Sequence, residues 1–88
     1  MELLKQVGFI KRGKNRKKVF INLDKPMMPS ELVMKIYKSN SNTYFNLISR
    51  ALAELKDKKL VEVINPEDRT GRIYRRTKEG EKVSKQIK

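Results

Sequence analysis

The hydrophobic pattern of this chain changes its period once, after Leu60, and that change constrains the fold more than any other feature. Ahead of Leu60 apolar residues recur every three or four positions, which is typical of amphipathic helices. Beyond it, residues 61–64 and 72–75 are short β-favouring runs around a turn-forming segment, residues 65–71. The 88 residues allow one domain. The sequence therefore predicts a single unit in which helices precede a β-hairpin.

Apolar residues at helical spacing predict three helices ahead of the hairpin. The first begins near Asn15 and runs for about nine residues. Val19, Phe20 and Leu23 form its apolar face. It is expected to end ahead of Pro26, because the residue before a proline disfavours the helical conformation.

The second helix is predicted to begin at Pro29, since proline suits the first helical position. Residues 38–42 are polar and hold the turn that follows. The third helix, about residues 43–58, has the strongest helical periodicity in the chain. The apolar positions of this third helix, predicted to face the core, are Tyr44, Phe45, Ile48, Ala51, Leu52 and Leu55. Tyr44 and Phe45 can instead stack on single-stranded bases.

The two ends of the chain complete the prediction. Thr77 is expected to cap a last helix over residues 78–87. Residues 1–14 are expected to form an N-terminal arm, helical or extended, with a break at Gly13. Residues 15–88 then form the domain. The predicted fold class is α+β: a three-helix bundle with a two-stranded hairpin and a C-terminal helix.

Charge and composition narrow the function. Lys and Arg number 22 against 10 Asp and Glu, a formal net charge of +12, and such a field favours polyanions, above all nucleic acid. The chain has no Cys and no His, which excludes disulfides, thiolate metal sites and His-based acid–base catalysis. We find no nucleophile–base pair, no metal-ligand set and no glycine-rich phosphate loop. The sequence predicts a binding protein without a cofactor or metal, and no enzyme.

Localisation follows from hydropathy. Apolar runs are far shorter than the roughly 20 residues needed to span a bilayer. No leader resembling a signal peptide opens the chain. We therefore expect a cytoplasmic protein without a membrane partner.

Three groups of short segments support a family resemblance. They are PSEL at residues 29–32, SRALAEL with LVE at 49–55 and 60–62, and NPEDR with TKEG at 65–69 and 77–80. With the element order, they resemble the winged helix-turn-helix of MarR-type regulators and their short single-domain relatives common in archaea. The resemblance implies that the third helix lies in the major groove of DNA and the hairpin, or wing, reaches the minor groove or backbone.

The chain departs from that family in three respects. Between Ile36 and Arg50 it has several more residues than the family's short turn, which implies a longer helix end or a longer turn. Arg76 stands where the wing usually has an apolar residue, so the second strand is expected to end early. The long flanking helices that form a dimer and an effector pocket in full-length members are missing, and no small-molecule effector is predicted.

The front of the third helix holds the candidates for reading DNA bases. Asn42, Thr43, Asn46 and Ser49 have side chains that can hydrogen-bond base edges, and asparagine pairs with adenine through two bonds. Asn42 and Thr43 can instead serve as turn and cap residues. Arg50 can reach a phosphate or a guanine, or it can pair with Glu54 four residues later.

Arginines and lysines elsewhere are the candidates for the DNA backbone and minor groove. The resemblance implies that Arg69, at the wing tip, enters the minor groove and is oriented by Asp68, because narrow A·T-rich grooves attract arginine. Arg72 and Arg75 are expected to contact phosphates beside it. The basic start of the first helix supplies three more candidate phosphate contacts, which are Arg16, Lys17 and Lys18.

Double-stranded DNA is thus the predicted partner, and sequence-specific transcriptional regulation the predicted function. Such regulators commonly bind as dimers, and residues 1–10 or the last helix supply the apolar surface for a homodimer. Two alternatives stay open. A winged helix can also be a protein-interaction subunit of a transcription or RNA-processing assembly, or it can bind structured RNA.

Overall fold

The first two thirds of the chain are helical, and the hairpin follows. The computed structural model describes residues 2–87, which form five helices and one two-stranded antiparallel hairpin. The helices are α1 (Glu2–Arg12), α2 (Lys14–Asn22), α3 (Pro29–Tyr37), α4 (Asn42–Asp57) and α5 (Lys78–Ile87), and the strands are β1 (Val61–Val63) and β2 (Tyr74–Arg76). The fold class is therefore α+β.

The N-terminal segment is a helix that contributes to the core. Helix α1 ends at Arg12, and Gly13 separates it from α2, as its predicted break requires. The side chain of Ile10 is completely buried, and α1 packs against both α2 and α5. The nine residues of α2 match the predicted length. The helix ends at Asn22, four residues ahead of Pro26.

The core joins side chains from all five helices and from the start of the hairpin. Its members are Ile10, Val19, Phe20, Leu23, Met27, Leu32, Val33, Ile48, Ala51, Leu52, Leu55, Leu60, Val61 and Val83. Most of the apolar positions predicted from periodicity are among them. Phe45 is a wrong prediction, since 41% of its surface is exposed. Tyr44 is half-buried, and its ring stacks on that of Tyr37 with 4.1 Å between the ring centroids.

A four-residue turn connects α3 and α4. Lys38 ends α3 in the left-handed conformation, with a φ of 54°. Ser41 caps α4, since its hydroxyl accepts a hydrogen bond from the backbone N–H of Thr43 at 3.1 Å. The long stretch after Ile36 therefore consists of this turn and of the first two turns of α4, which begins at Asn42.

The two strands of the hairpin are shorter than predicted, and the second strand begins and ends later in the chain. Strand β2 begins at Tyr74 because residues 72 and 73 belong to the loop, and it continues through Arg76, which pairs with Val61. The expectation that Arg76 ends the strand early is wrong. Tyr74 also bridges to Met27 through both backbone hydrogen bonds, so the loop after α2 covers the free edge of β2.

Thr77 connects the hairpin to the last helix. Its hydroxyl accepts the backbone N–H of Gly80 at 3.0 Å, which confirms the predicted cap of α5, and donates to the carbonyl oxygen of Lys59 at 2.7 Å. In the part of the chain that the structure describes, no helix is both long enough and apolar enough to cross a membrane.

Candidate nucleic-acid interface

One face of α4 is exposed along the helix, and most of its side chains are polar. Ile48, Leu52 and Leu55 turn inward, and the opposite face exposes Asn42, Asn46, Arg50 and Ala53 at intervals of three or four residues. We call these four residues the α4 ridge. Thr43 is exposed on one side of the ridge, and Ser49 is half-buried on the other. The amide side chains of the ridge can both donate and accept hydrogen bonds.

Arg50 lies on this ridge without an ion pair among residues 2–87. The alternative pair with Glu54, four residues along the helix, does not form. Glu54 instead lies 3.7 Å from Arg16 of α2. The guanidinium of Arg50 is therefore exposed and available to an anion.

The hairpin loop is held together by the side chain of Asn65. Its amide nitrogen donates to the carboxylate of Asp68 at 2.9 Å and to the carbonyl oxygen of Gly71 at 3.1 Å, and its amide oxygen accepts the backbone N–H of Ile73 at 2.7 Å. Gly71 has a φ of 67°, a conformation that glycine adopts without strain. These bonds fix both ends of the loop and leave the tip exposed.

Arg69 lies at this tip and is exposed, and within the described chain its side chain has no hydrogen bond or ion pair. No bond joins Asp68 to Arg69 in the described chain, and the Asp68 carboxylate accepts from Asn65. That Asp68 orients Arg69 on DNA stays a prediction. Arg72 is half-buried, and its Nε donates to the carbonyl oxygen of Asp68 at 2.8 Å. The loop therefore presents one free arginine and holds a second one beside it.

Arg75 is engaged on the strand itself. Its Nε donates to the carboxylate of Glu62 at 2.7 Å, and the two residues face each other across the hairpin. Both side chains are about half exposed, so this ion pair is open to solvent and contributes little to stability. Only Nε of Arg75 is bonded to Glu62, so the terminal nitrogens of the guanidinium can still pair with a phosphate.

A groove of about 360 Å³ separates the front of α4 from the hairpin. Ser49 lies on its helix side, and Arg69 and Arg72 lie on its hairpin side. Met28, Pro29, Phe45 and Tyr74 supply the apolar part of its lining. The structure thus brings residues of the predicted third helix and of the predicted wing to one surface.

The basic start of α2 is not part of this groove. Arg16 has only 20% of its side chain exposed, because the guanidinium lies 3.9 Å from the centre of the Phe9 ring and pairs with Glu54. These contacts oppose the predicted phosphate contact of Arg16. Lys17 and Lys18 are exposed, and the Lys18 ammonium lies 5.6 Å from the centre of the Tyr37 ring.

Sequence reasoning missed Phe45 as a surface residue of this face. Phe45 precedes Leu52 by seven residues and shares its side of the helix, which is why periodicity assigned it to the core. The neighbouring Thr43 and Asn46 are exposed as well, so the first turn of α4 extends past the packed core. Tertiary packing determines how far the helix extends past the core. In the sequence, only the polar residues beside Phe45 indicated this extension.

Comparison of the chain with known protein families, with curated proteins and with solved structures gives no match.

Proposed function

We propose that the protein is a winged-helix transcriptional regulator that binds double-stranded DNA, with α4 in the major groove and the hairpin against the minor groove or the backbone. One observation carries the proposal: Ser49, at the edge of the hydrogen-bonding ridge of α4, lines the same groove as Arg69 of the hairpin tip. The net charge of +12 supports it, because attraction to phosphates supplies most of the affinity for DNA.

The α4 ridge has the chemistry needed to read bases. An α-helix with its side chains is about 10–12 Å wide, which matches the roughly 12 Å major groove. Asn46 lies one turn after Asn42 and one turn before Arg50. Asparagine can bind adenine, and arginine can bind guanine, through two hydrogen bonds each. In this proposal Asn46 is the central base-reading residue, Asn42 and Arg50 contact the adjoining bases or phosphates, and Thr43 and Ser49 assist at the edges.

The hairpin supplies the second contact. Because Asn65 fixes the loop before any partner arrives, the backbone that carries Arg69 has little conformational entropy left to lose on binding. The negative potential of a narrow A·T-rich minor groove attracts such a side chain. Arg72 and Arg75 lie nearer the hairpin strands, where they are proposed to contact phosphates.

Two of the three basic residues at the start of α2 keep their proposed role as phosphate contacts. Lys17 and Lys18 are exposed and can move freely enough to meet the DNA backbone. Arg16 is excluded from the proposal, because its guanidinium already contacts Phe9 and Glu54. It is assigned to packing between α1, α2 and α4.

Exposed apolar surface favours DNA over a protein partner as the main ligand. Among the described residues, large exposed apolar side chains occur on each of the first four helices and after β1, and those of Met34 and Phe45 line two different grooves. They are Leu4, Ile21, Met34, Phe45 and Ile64. A protein-binding surface typically concentrates such residues in one patch.

Fluorescence anisotropy with labelled duplex DNA and duplex RNA at two salt concentrations tests the proposal. The wild type is expected to prefer DNA and to lose affinity steeply with salt. Arg69→Ala should weaken binding by about 1–3 kcal/mol. Lys17→Ala should lower the salt slope by about one without changing sequence preference. Asn46→Ala should relax the sequence preference, measured by selecting duplexes from a random pool.

Lys85→Ala is the matched control for charge. Lys85 is exposed on α5 and does not line the groove between α4 and the hairpin, so this variant loses one positive charge away from the proposed interface. It is expected to bind DNA nearly as well as the wild type. If Lys85→Ala and Arg69→Ala lose the same DNA affinity, the affinity depends only on net charge, and the proposal is contradicted. Binding to RNA alone, or no binding at low salt, would also overturn it.

A further inference from the structure

Phe45 is an exposed aromatic residue on the surface proposed to face DNA. It lies between Asn42 and Asn46 in the first turns of α4, and 41% of its surface is accessible. The core does not require it there, because the buried positions of α4 begin at Ile48. Exposing a large aromatic ring forgoes the free energy that its burial would contribute. A partner that covers the ring would recover that free energy.

The surroundings of Phe45 combine apolar and cationic groups. In the groove between α4 and the hairpin, Met28 and Tyr74 extend the apolar surface of the ring, and Arg69 and Arg72 lie at the hairpin side. The arginines select a polyanion by charge complementarity. The Phe45 ring and its apolar neighbours favour contact with an apolar group of that polyanion.

Double-stranded DNA exposes one such group in its major groove. The 5-methyl group of thymine is the apolar feature of the base edges there, and aromatic and small apolar side chains contact it. An unpaired base could also stack on the ring. That arrangement requires the duplex to unstack and the base to leave the helix, whereas a methyl contact leaves the duplex intact.

We propose that Phe45 contacts the 5-methyl group of a thymine and makes the protein selective for thymine over uracil at that position. The inference rests on the proposed function, because it requires α4 to enter the major groove. It adds a specificity residue that reads an apolar group, next to the hydrogen-bonding residues of the ridge.

Substitution of thymine by deoxyuridine tests this contact without changing base pairing. Duplexes are selected from a random pool with the wild type, and each is then synthesised with thymine and with deoxyuridine. The wild type is expected to bind the deoxyuridine form about fourfold more weakly for each methyl group that it buries. Phe45→Ala should bind both forms equally, and Phe45→Leu should retain part of the difference because leucine keeps an apolar contact.

Met34→Ala is the control, since Met34 is also an exposed apolar residue but lies on α3 and lines a different groove. It should keep the full preference for thymine. Thermal unfolding of each variant checks that it folds, and the thymine–uracil comparison on the wild type needs no variant.

The outcomes separate this inference from the proposed function. Equal wild-type affinity for the two forms overturns the methyl contact and leaves DNA binding standing. An unchanged preference in Phe45→Ala overturns the assignment to Phe45. Tighter binding to single-stranded oligothymidine than to any duplex overturns the methyl contact in favour of an unpaired base. Absence of duplex binding overturns both proposals.

Discussion

The guanidinium of Arg76 closes the C-terminal end of α2 by binding the backbone of Phe20. Its Nη2 and Nε donate to the Phe20 carbonyl oxygen at 2.9 and 3.1 Å, and Nη2 also donates to that of Ile21 at 2.9 Å. The last carbonyl groups of a helix lack partners within the helix, and they favour a positive charge. The interaction explains how a charged residue, with 7% of its side chain exposed, can occupy a strand position where an apolar one was expected.

Removal of this guanidinium should destabilise the fold. Arg76→Met keeps the apolar part of the side chain but leaves the part-buried Phe20 carbonyl group and the exposed Ile21 carbonyl group without these bonds, so we expect a loss of about 1.5–3 kcal/mol. Arg75→Met is the matched control, because Arg75 is exposed and its ion pair with Glu62 is worth less than about 1 kcal/mol. Urea unfolding measures both. A loss in Arg75→Met as large as that in Arg76→Met would contradict the assignment.

Asn65 is expected to act on DNA binding through the shape of the loop. Asn65→Ala removes three hydrogen bonds, which should free the loop and accelerate amide hydrogen exchange in it. Its DNA affinity should fall toward that of Arg69→Ala, although Asn65 itself contacts no DNA in the proposed complex.

The control for the loop is Glu67→Ala, because Glu67 is exposed in the same loop. It should leave exchange at Ile73 unchanged. If Asn65→Ala leaves exchange in the loop as slow as in the wild type, the three bonds do not hold the loop in solution.

Gly80 should not tolerate a side chain. A β-carbon at Gly80 would collide with the backbone carbonyl oxygen of Leu60, which cannot move without disturbing the start of β1. We expect Gly80→Ala to lower the melting temperature by several degrees, at roughly 4–8 °C per kcal/mol for a domain of this size.

Gly8→Ala is the opposite case. A β-carbon at Gly8 would meet only the flexible end of the Arg12 side chain, and alanine favours the helix by roughly 0.5–1 kcal/mol. Thermal unfolding followed by circular dichroism should show shifts of opposite sign for the two variants. A shift of the same sign in both would show that the contact with Leu60 does not determine the effect.

The ion pair between Asp24 and Lys35 predicts a small pH dependence. The hydrogen bond from the Lys35 ammonium, at 3.2 Å, lowers the pKa of the Asp24 carboxyl below its ordinary value of 3.8, and the charge of Lys25 contributes less. Because the pKa is lowered in the folded state, the pair stabilises the fold at pH values above the ordinary pKa of the carboxyl group. This contribution is lost as the pH falls through the folded-state pKa.

NMR titration of the Asp24 carboxyl carbon measures this effect directly. The midpoint should lie below 3.8 in the wild type and rise in Lys35→Met. Lys25→Met is the control and should raise it less, because Lys25 acts only through its charge. A midpoint that does not respond to Lys35→Met would exclude the hydrogen bond as the cause.

The local elements of this protein could be predicted from the sequence because they depend on near neighbours. The nine residues of α2 and the cap at Thr77 were predicted, and α4 begins and ends within one residue of its predicted bounds. Helical hydrogen bonds join residues four apart and caps act over three, so the information lies within a short window. The antiparallel hairpin was also predicted, but its strands pair residues 11 to 15 positions apart, and the second strand begins later than the sequence indicated.

The partners of the arginines were decided by the tertiary structure. Arg16 packs on Phe9 and pairs with Glu54 of another helix, and Arg76, which was expected to end a strand, instead binds a residue 56 positions earlier. Phe45 shares a helical face with buried Leu52 and is nevertheless exposed. Periodicity reports which side of a helix is apolar, but it contains no information on how far the packed core extends along that helix. A long charged side chain likewise binds whatever groups the packing brings within its reach, and those groups are remote in sequence.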